Sequence, residues 1–214
     1  GRDMSQEEVT HILQLCDAVW LHPGDPSAPH ADLHSGKCSD GFVDVLRALR
    51  FTNICSILAE QLVKKFGKLG LGGQKIDWVI GSDHAGAVFS HSVAEILRAQ
   101  HDFTEKGPNK TQLWQRFAID PDEVVLQVEE LITTTDTLQA VRRGIREGNS
   151  HSVKFVPVVG TLVHRSGIYE FEGSPIVYLA HYDINVWEPA DCSLCARGSK
   201  RLKPKANWAE LTGK

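Results

Sequence analysis

The stretch VVLQVEELITTTDT, Val124 to Thr137, decides how the chain is read. Val124–Val128 is apolar except for Gln127, as in a strand buried on both faces of a parallel sheet. Glu129 and Glu130 follow, then Leu131 and Ile132, then five residues of which four are threonine. TLQAVRRGIRE (137–147) continues with helical spacing. In an open α/β sheet ligands bind at the carboxyl ends of strands, where loops lead into helix N-termini. The start of such a helix offers unpaired N–H groups and the positive end of a dipole, a seat for phosphate. Two acceptor-only carboxylates beside that seat suit a ligand with hydroxyls and a phosphate, a sugar phosphate above all, or a Mg²⁺ carried by it. A lone glutamate pair reads more simply as a solvated turn. The order apolar, acidic pair, apolar pair, hydroxyl cluster is more specific than that.

Working outward, the same alternation recurs. DWVIGSDHAGAVFSHSVAEILRA (77–99) reads as a short buried strand, a glycine-bearing turn and a helix; SVKFVPVVGTLVHR (152–165) and SPIVYLAHYDI (174–184) are β-rich. Ser5 with Glu8 forms a capping box for a first helix, and Thr52 or Asn53 is expected to cap a second, ICSILAEQLVKKF, that stops at Gly67. FTEKGPNKTQ (103–112) is polar and breaker-containing, a loop by composition. Residues 188–214 are loop-rich and basic, and are expected to wrap the core rather than extend its sheet. The fold class is α/β with a parallel-sheet core.

With 214 residues, 42% hydrophobic and 23% charged, the chain suits one globular domain. That domain is expected over 4–214, leaving aside the three residues ahead of the sole methionine, Met4. The net charge of −4 argues against a dedicated nucleic-acid partner. No apolar run approaches the roughly 20 residues that span a bilayer, and no signal-peptide core opens the chain, so the cytoplasm is the expected location.

These segments resemble, in order, the type I phosphoribosyltransferases of the orotate kind. HSGKCSDGF (34–42) is similar to that family's N-terminal segment, VIGSDHAGA (79–87) to its pyrophosphate loop and FTEKGPNK (103–110) to its mobile basic loop. VEELITTTDT (128–137) is similar to its ribose-phosphate signature, and VVGTLVHRSG (158–167) to the strand that ends in a base-contacting arginine. The resemblance implies a Mg²⁺-dependent transfer of phosphoribose from PRPP to a nucleobase, orotate first, another base as the alternative, and a homodimer. A PRPP-sensing regulator with the same fold and little turnover is the reading from a different class. It also implies a small hood over the site, built from about 20–50 and in part from 188–214.

The implied roles follow the matched positions. Glu129 and Glu130 would hold the ribose hydroxyls. Thr133, Thr134, Thr135, Asp136 and Thr137 would wrap the 5′-phosphate, and Gly81, Ser82, His84 and Gly86 would meet the pyrophosphate. Lys106 and Lys110 would be the catalytic-loop lysines, and His34, Phe42 and Arg165 would contact the base. The chain departs from the family pattern in the length of Glu130, in a phosphate loop without glycine, and in Ala85 and His34 where lysines are usual. Asp136 is expected to turn from the phosphate and cap the helix with its carboxylate.

Cys192 and Cys195 form a CxxC with no second CxxC or HxxxH nearby. A reduced pair in a tight turn is the plainer expectation, dispensable for chemistry. Zinc would require Cys38, His181 or Asp191 to arrive through the fold. His22, His30 and His34 match no ligand spacing and read as loop histidines, and Cys16 and Cys55 as small core residues.

Overall fold

The computed structural model describes residues 1–214. The Ser5 hydroxyl accepts from the Glu8 N–H at 3.2 Å and opens α1 (Gln6–Leu15). The box is only half closed, because the Glu8 carboxylate pairs with Arg2 instead. Four short strands follow: β1 (Val19–Leu21), β2 (His30–Asp32), β3 (Cys38–Ser39) and β4 (Gly41–Val43). A single turn α2 (Leu46–Leu49) leads into α3 (Thr52–Phe66), which has Phe51 at its N-cap and no side-chain cap, contrary to the cap expected from Thr52 or Asn53. The core then alternates: β5 (Trp78–Ser82), α4 (Ala85–Leu97), β6 (Gln100–Lys106), β7 (Gln112–Leu113), β8 (Val124–Ile132), α5 (Asp136–Glu147), β9 (Lys154–His164), β10 (Glu170–Phe171) and β11 (Ser174–His181). The chain closes with β12 (Val186–Trp187), α6 (Ser193–Ala196), β13 (Arg201–Leu202) and α7 (Trp208–Thr212).

Seven strands form one sheet in the order β10-β11-β9-β8-β5-β6-β7, in which β11, β9, β8, β5 and β6 are parallel and the edge strands β10 and β7 antiparallel. Both faces are covered, as near-continuous apolar strands require. Helices α1, α3 and α4 bury Leu13, Leu58, Leu62, Phe89 and Val93 against one face. Helix α5 buries Val141 and Ile145 against the other with Trp78, Ile80 and Trp114. No helix is long and apolar enough to cross a membrane.

The strand order fixes where a ligand can sit. After β5 the chain adds β6 on one side, then crosses back and adds β8 on the other. Helices α4 and α5 therefore leave the sheet toward opposite faces, and the carboxyl ends of β5 and β8 form the topological switch point at which such sheets bind ligands.

Two readings are corrected. The FTEKGPNK segment is not a long loop: Phe103–Lys106 completes β6, and a tight hairpin, closed by the Gly107 N–H to the Thr111 carbonyl at 2.9 Å, pairs it with β7. Threonine and phenylalanine suit a strand, and polarity alone misread an edge. The C-terminal segment does not merely wrap: β12 and β13 join β3 and β2 in a second sheet, order β12-β3-β2-β13, so both ends of the chain share it.

On the α5 face, Gln127 of β8 is buried; its side-chain N–H donates to the Leu138 carbonyl at 3.2 Å and its oxygen accepts from Arg142 Nε at 2.5 Å. Arg142, also buried, lies over Phe155 and Phe171 and pairs with Glu172 at 2.9 Å. These bonds fix the start of α5 relative to β8. Further along α5, Gly144 lies so close to β7 that a Cβ there would stand 2.1 Å from the Gln112 carbonyl oxygen. Gly144→Ala gains about 1 kcal/mol of helix propensity, yet it is expected to lose about 1–3 kcal/mol net through overpacking against rigid backbone. Urea unfolding measures this, and a stabilised variant would contradict the packing described.

Candidate active site

Strand β8 runs beyond β5. Their last paired residues are Ile80 and Gln127, whereas β8 stays paired with β9 to Ile132 and His164. Glu129 and Glu130 thus lie within the strand, where it has lost its β5 neighbour, and not at its end. Adjacent strand residues point to opposite faces, and the two carboxylates meet different surroundings.

Glu129 is 2% exposed, and Ser82 occupies both its oxygens: the Ser82 N–H donates to Oε1 at 3.1 Å and its hydroxyl to Oε2 at 2.8 Å. This carboxylate ties the end of β5 to β8. Gly86 leaves the space it needs, since a Cβ there would stand 2.3 Å from Glu129 Oε2. Gly81 is equally confined, its absent Cβ 2.6 Å from the Gly86 carbonyl oxygen and 2.7 Å from that of Val128. Both glycines of the expected pyrophosphate loop are therefore explained by close packing on β8.

Glu130 is the free member of the pair. Its Oε2 is buried without a partner. The two acids, both expected to hold ribose hydroxyls, stand differently here: Glu129 is engaged by the loop, and Glu130 carries an unused acceptor. Burial raises the affinity of both carboxyls for a proton. For Glu129 the Glu130 charge adds to this and the two Ser82 donors oppose it. For Glu130 the N–H groups of Glu130 and Leu131 oppose it, and Asp44 adds to it. A second orphan oxygen belongs to Asp83, a residue the sequence reading passed over. Its Oδ1 is buried and unpartnered, while Oδ2 accepts from the Lys106 N–H at 3.3 Å. The Asp83 N–H in turn donates to the Thr104 carbonyl at 3.0 Å, so the loop is stitched to the lysine hairpin. The Asp83–His84 peptide is cis.

Residues 133–135 turn directly into α5. None of residues 133–137 has positive φ, so this loop does not require the glycine that is absent from it. The Thr134 hydroxyl accepts from the Asp136 N–H at 3.2 Å and that of Thr135 from Gln139 at 2.8 Å. Asp136 does not cap the helix as expected: it is the first helical residue, and its carboxylate accepts no hydrogen bond. Thr135 is the N-cap and makes no side-chain cap bond, and Asp136 instead lines a cavity of about 420 Å³ with Thr137, Lys106, Gly107, Lys110 and Thr111. Both hairpin lysines and the helix start therefore wall one space.

The base-contact residues divide. Arg165 follows β9, its N–H donating to the Ile132 carbonyl at 2.9 Å beside the acid pair. Its guanidinium is partly buried and makes no ion pair; burial lowers its proton affinity and the Asp40 carboxylate opposes that. Phe42 is not brought to the site. It packs edge-on against Trp208, ring centroids 6.1 Å apart, in an apolar cluster with Trp20, Ala31 and Leu202. His34 stands exposed in the β2–β3 turn and touches none of the other named residues. Cys192 and Cys195 lie in the second sheet's surroundings, away from the acid pair, and Cys38 joins them while His181 and Asp191 do not.

No family model matches the chain. An orotate phosphoribosyltransferase of Thermotoga maritima is 30% identical over 175 residues, 82% of this chain and 89% of that protein. The chain belongs to the orotate phosphoribosyltransferase family. A family member of Caldanaerobacter subterraneus is 29% identical over 202 residues, 94% of this chain and 97% of that protein. The fold agrees: a crystal structure of orotate phosphoribosyltransferase from Aeropyrum pernix superimposes with a TM-score of 0.55 at 20% identity, covering 81% of this chain and 93% of that one.

A carboxyl whose folded-state pKa is raised destabilises the fold as pH climbs, since the unfolded chain ionises first; the penalty is absent in acid and grows above the ordinary carboxylate range. Glu129→Gln keeps an acceptor for the Ser82 N–H and lets the amide donate to its hydroxyl. The variant is expected to melt higher than wild type at about pH 8 and to lose that advantage at about pH 5. Equal differences at both pH values would show that the carboxyl is not held in its neutral form.

Proposed function

We propose that the chain transfers a 5-phosphoribosyl group from PRPP to orotate, releasing pyrophosphate. What supports this is the partnerless Glu130 oxygen on β8 beyond the last residue paired with β5, with a glycine-bearing loop after β5 and a helix start that shares a cavity with two lysines. Glu130 takes a ribose hydroxyl. The Thr133–Thr137 turn and the first N–H groups of α5 receive the 5′-phosphate, and the Gly81–Gly86 loop receives the pyrophosphate. Residues 4–214 act as one domain, with the second sheet as the hood.

In this reaction a ring nitrogen of the base forms a bond to the anomeric carbon and gives up its proton to solvent, while the carbon–oxygen bond to pyrophosphate breaks, the electron pair leaving with pyrophosphate. Positive charge grows on the ribose and negative charge on the leaving group. The protein's part is positioning and electrostatics. Lys106 and Lys110 face the leaving oxygens, and Asp83 fixes the hairpin that carries them. Asp136 shares their cavity, so its charge is offset by the lysines rather than directed at phosphate alone. Arg165, half-buried and unpaired, suits an acidic substituent on the base as a bidentate fork. Mg²⁺ would come with PRPP and neutralise the leaving group. Carboxylate oxygens suit a hard cation, and Asp83 or Glu130, each with one partnerless oxygen, would hold it directly or through water.

A PRPP-binding regulator with little turnover is the second reading, favoured by the tight, paired hairpin where a longer closing loop would be expected. One panel separates the two: free orotate, uracil, adenine and guanine are each incubated with PRPP and Mg²⁺, and nucleotide is quantified. Orotidine monophosphate from orotate alone is the expected result; binding of PRPP with no nucleotide from any base would establish the regulator. With activity in hand, Lys106→Ala is expected to lower kcat at least about tenfold with little change in KM, as for a contact made mainly in the transition state. Arg165→Met is expected to raise KM for orotate while leaving that for PRPP level. A rise in the PRPP KM alone would reassign the arginine.

A further inference from the structure

The second sheet brings four metal-binding side chains together from both ends of the chain. His30 lies on β2, Cys38 on β3, and Cys192 and Cys195 flank the start and body of α6. Their ligand atoms all lie within 4.8 Å of one another. Cys38 Sγ is 3.5 Å from Cys195 Sγ, and His30 Nε2 is 3.3 Å from Cys195 Sγ and 3.6 Å from Cys192 Sγ. Tetrahedral zinc, with Zn–S near 2.3 Å and Zn–N near 2.0–2.1 Å, sets its ligands about 3.5–3.8 Å apart. His30 and Cys38 are 0% exposed and Cys192 2%.

The surroundings are those of a built site. His30 Nδ1 lies 2.8 Å from the Ser199 hydroxyl, which itself donates to the Ala28 carbonyl at 2.6 Å. Ser199 therefore accepts from Nδ1–H, which turns the lone pair of Nε2 toward the thiols, the outer bond that metal-bound histidines keep. The Cys195 N–H donates to Cys192 Sγ at 3.4 Å, a donor suited to a thiolate. Arg201, in register with His30 across the β2–β13 pair, pairs with Asp32 through Nη2 at 2.8 Å, while its Nε–H is buried without an acceptor.

We propose that His30, Cys38, Cys192 and Cys195 bind one Zn²⁺ as a closed structural site that clamps the β2–β3 hairpin to the C-terminal segment. On binding, the three thiols release three protons to solvent, and the thiolates with the dication leave a net charge of −1, toward which the Cys195 N–H and the unpartnered Arg201 Nε–H are available as donors. Three sulfurs and one imidazole suit zinc better than an iron–sulfur cluster, which takes four cysteines. With all four positions filled by protein the ion has no seat for substrate, so its role is to hold the hood in place. The sequence alone showed half of this set, because the CxxC lies more than 150 residues from its partner Cys38.

The test is metal content. Full-length protein produced with added zinc, and purified under reducing conditions without chelator, is expected to carry about one zinc per chain by plasma mass spectrometry. Cobalt-loaded protein is expected to show the visible bands of tetrahedral cobalt thiolate. Cys192→Ser with Cys195→Ser should abolish both signals, while Cys55→Ser, outside the cluster, should keep them. Wild type that holds no zinc and yields no tetrahedral cobalt spectrum would overturn the site, as would a double variant that keeps stoichiometric zinc. Finding Cys38 and Cys195 joined as a disulfide in the reduced preparation would overturn it too. None of these readouts depends on turnover, so their outcome is independent of the proposed reaction.

Discussion

The structure depends on one buried carboxylate. Glu129 is withdrawn from water and accepts both donors of Ser82, and in doing so it fastens the carboxyl end of β5 to the strand beside it. Without that link two parallel strands would diverge where their helices leave for opposite faces. Gly81 and Gly86 exist to let the loop lie close enough for it. The arrangement carries an ionisable group at a depth where ionisation is costly, a cost that stability alone would have removed by using an apolar residue. A site that must hold a loop still while offering the neighbouring acid to a ligand has a reason to keep it.

The two glutamates show how position divides labour between identical side chains. On a strand they face opposite ways, so one supports and the other presents. The same division recurs across the switch point. Asp83 uses one oxygen to hold the lysine hairpin and leaves the other unpartnered, and Gln127 with Arg142 sets the pose of α5 from beneath. The Ser82 loop and the lysine hairpin, both proposed to meet the ligand, are thus held by carboxylates, Glu129 and Asp83.

Much of this was legible in the sequence. The apolar run, the doubled acid and the hydroxyl cluster placed β8 and α5, and the glycine-bearing turn after DWVIGS placed the opposing loop, because parallel strands and tight approaches leave strong local marks. What failed was whatever depended on the third dimension. The pattern could not tell that Glu129 faces Ser82, since side-chain direction within a doubled acid needs the neighbouring strand. Phe42 was assigned to the base, yet its ring lies on Trp208, a partner 166 positions away in the chain. The hairpin at Phe103–Lys106 read as a loop because edge strands tolerate polar residues. His30 was grouped with its sequence neighbours instead of with the cysteines it meets. The missing glycine in the phosphate loop looked like damage, and the backbone shows that threonine adopts the required conformation without strain.

The second sheet has a consequence for how the chain folds. Its inner strands, β2 and β3, precede the parallel core in the sequence, and their outer neighbours β12 and β13 follow it. Pairing across such a separation closes a very long loop and is intrinsically slow. The parallel core can assemble while the β2–β3 hairpin waits with both edges open, because the strands that cover those edges come after the whole core in the sequence. Docking of β12 and β13 on that hairpin therefore becomes the step that joins the two sequence-distant halves of the second sheet.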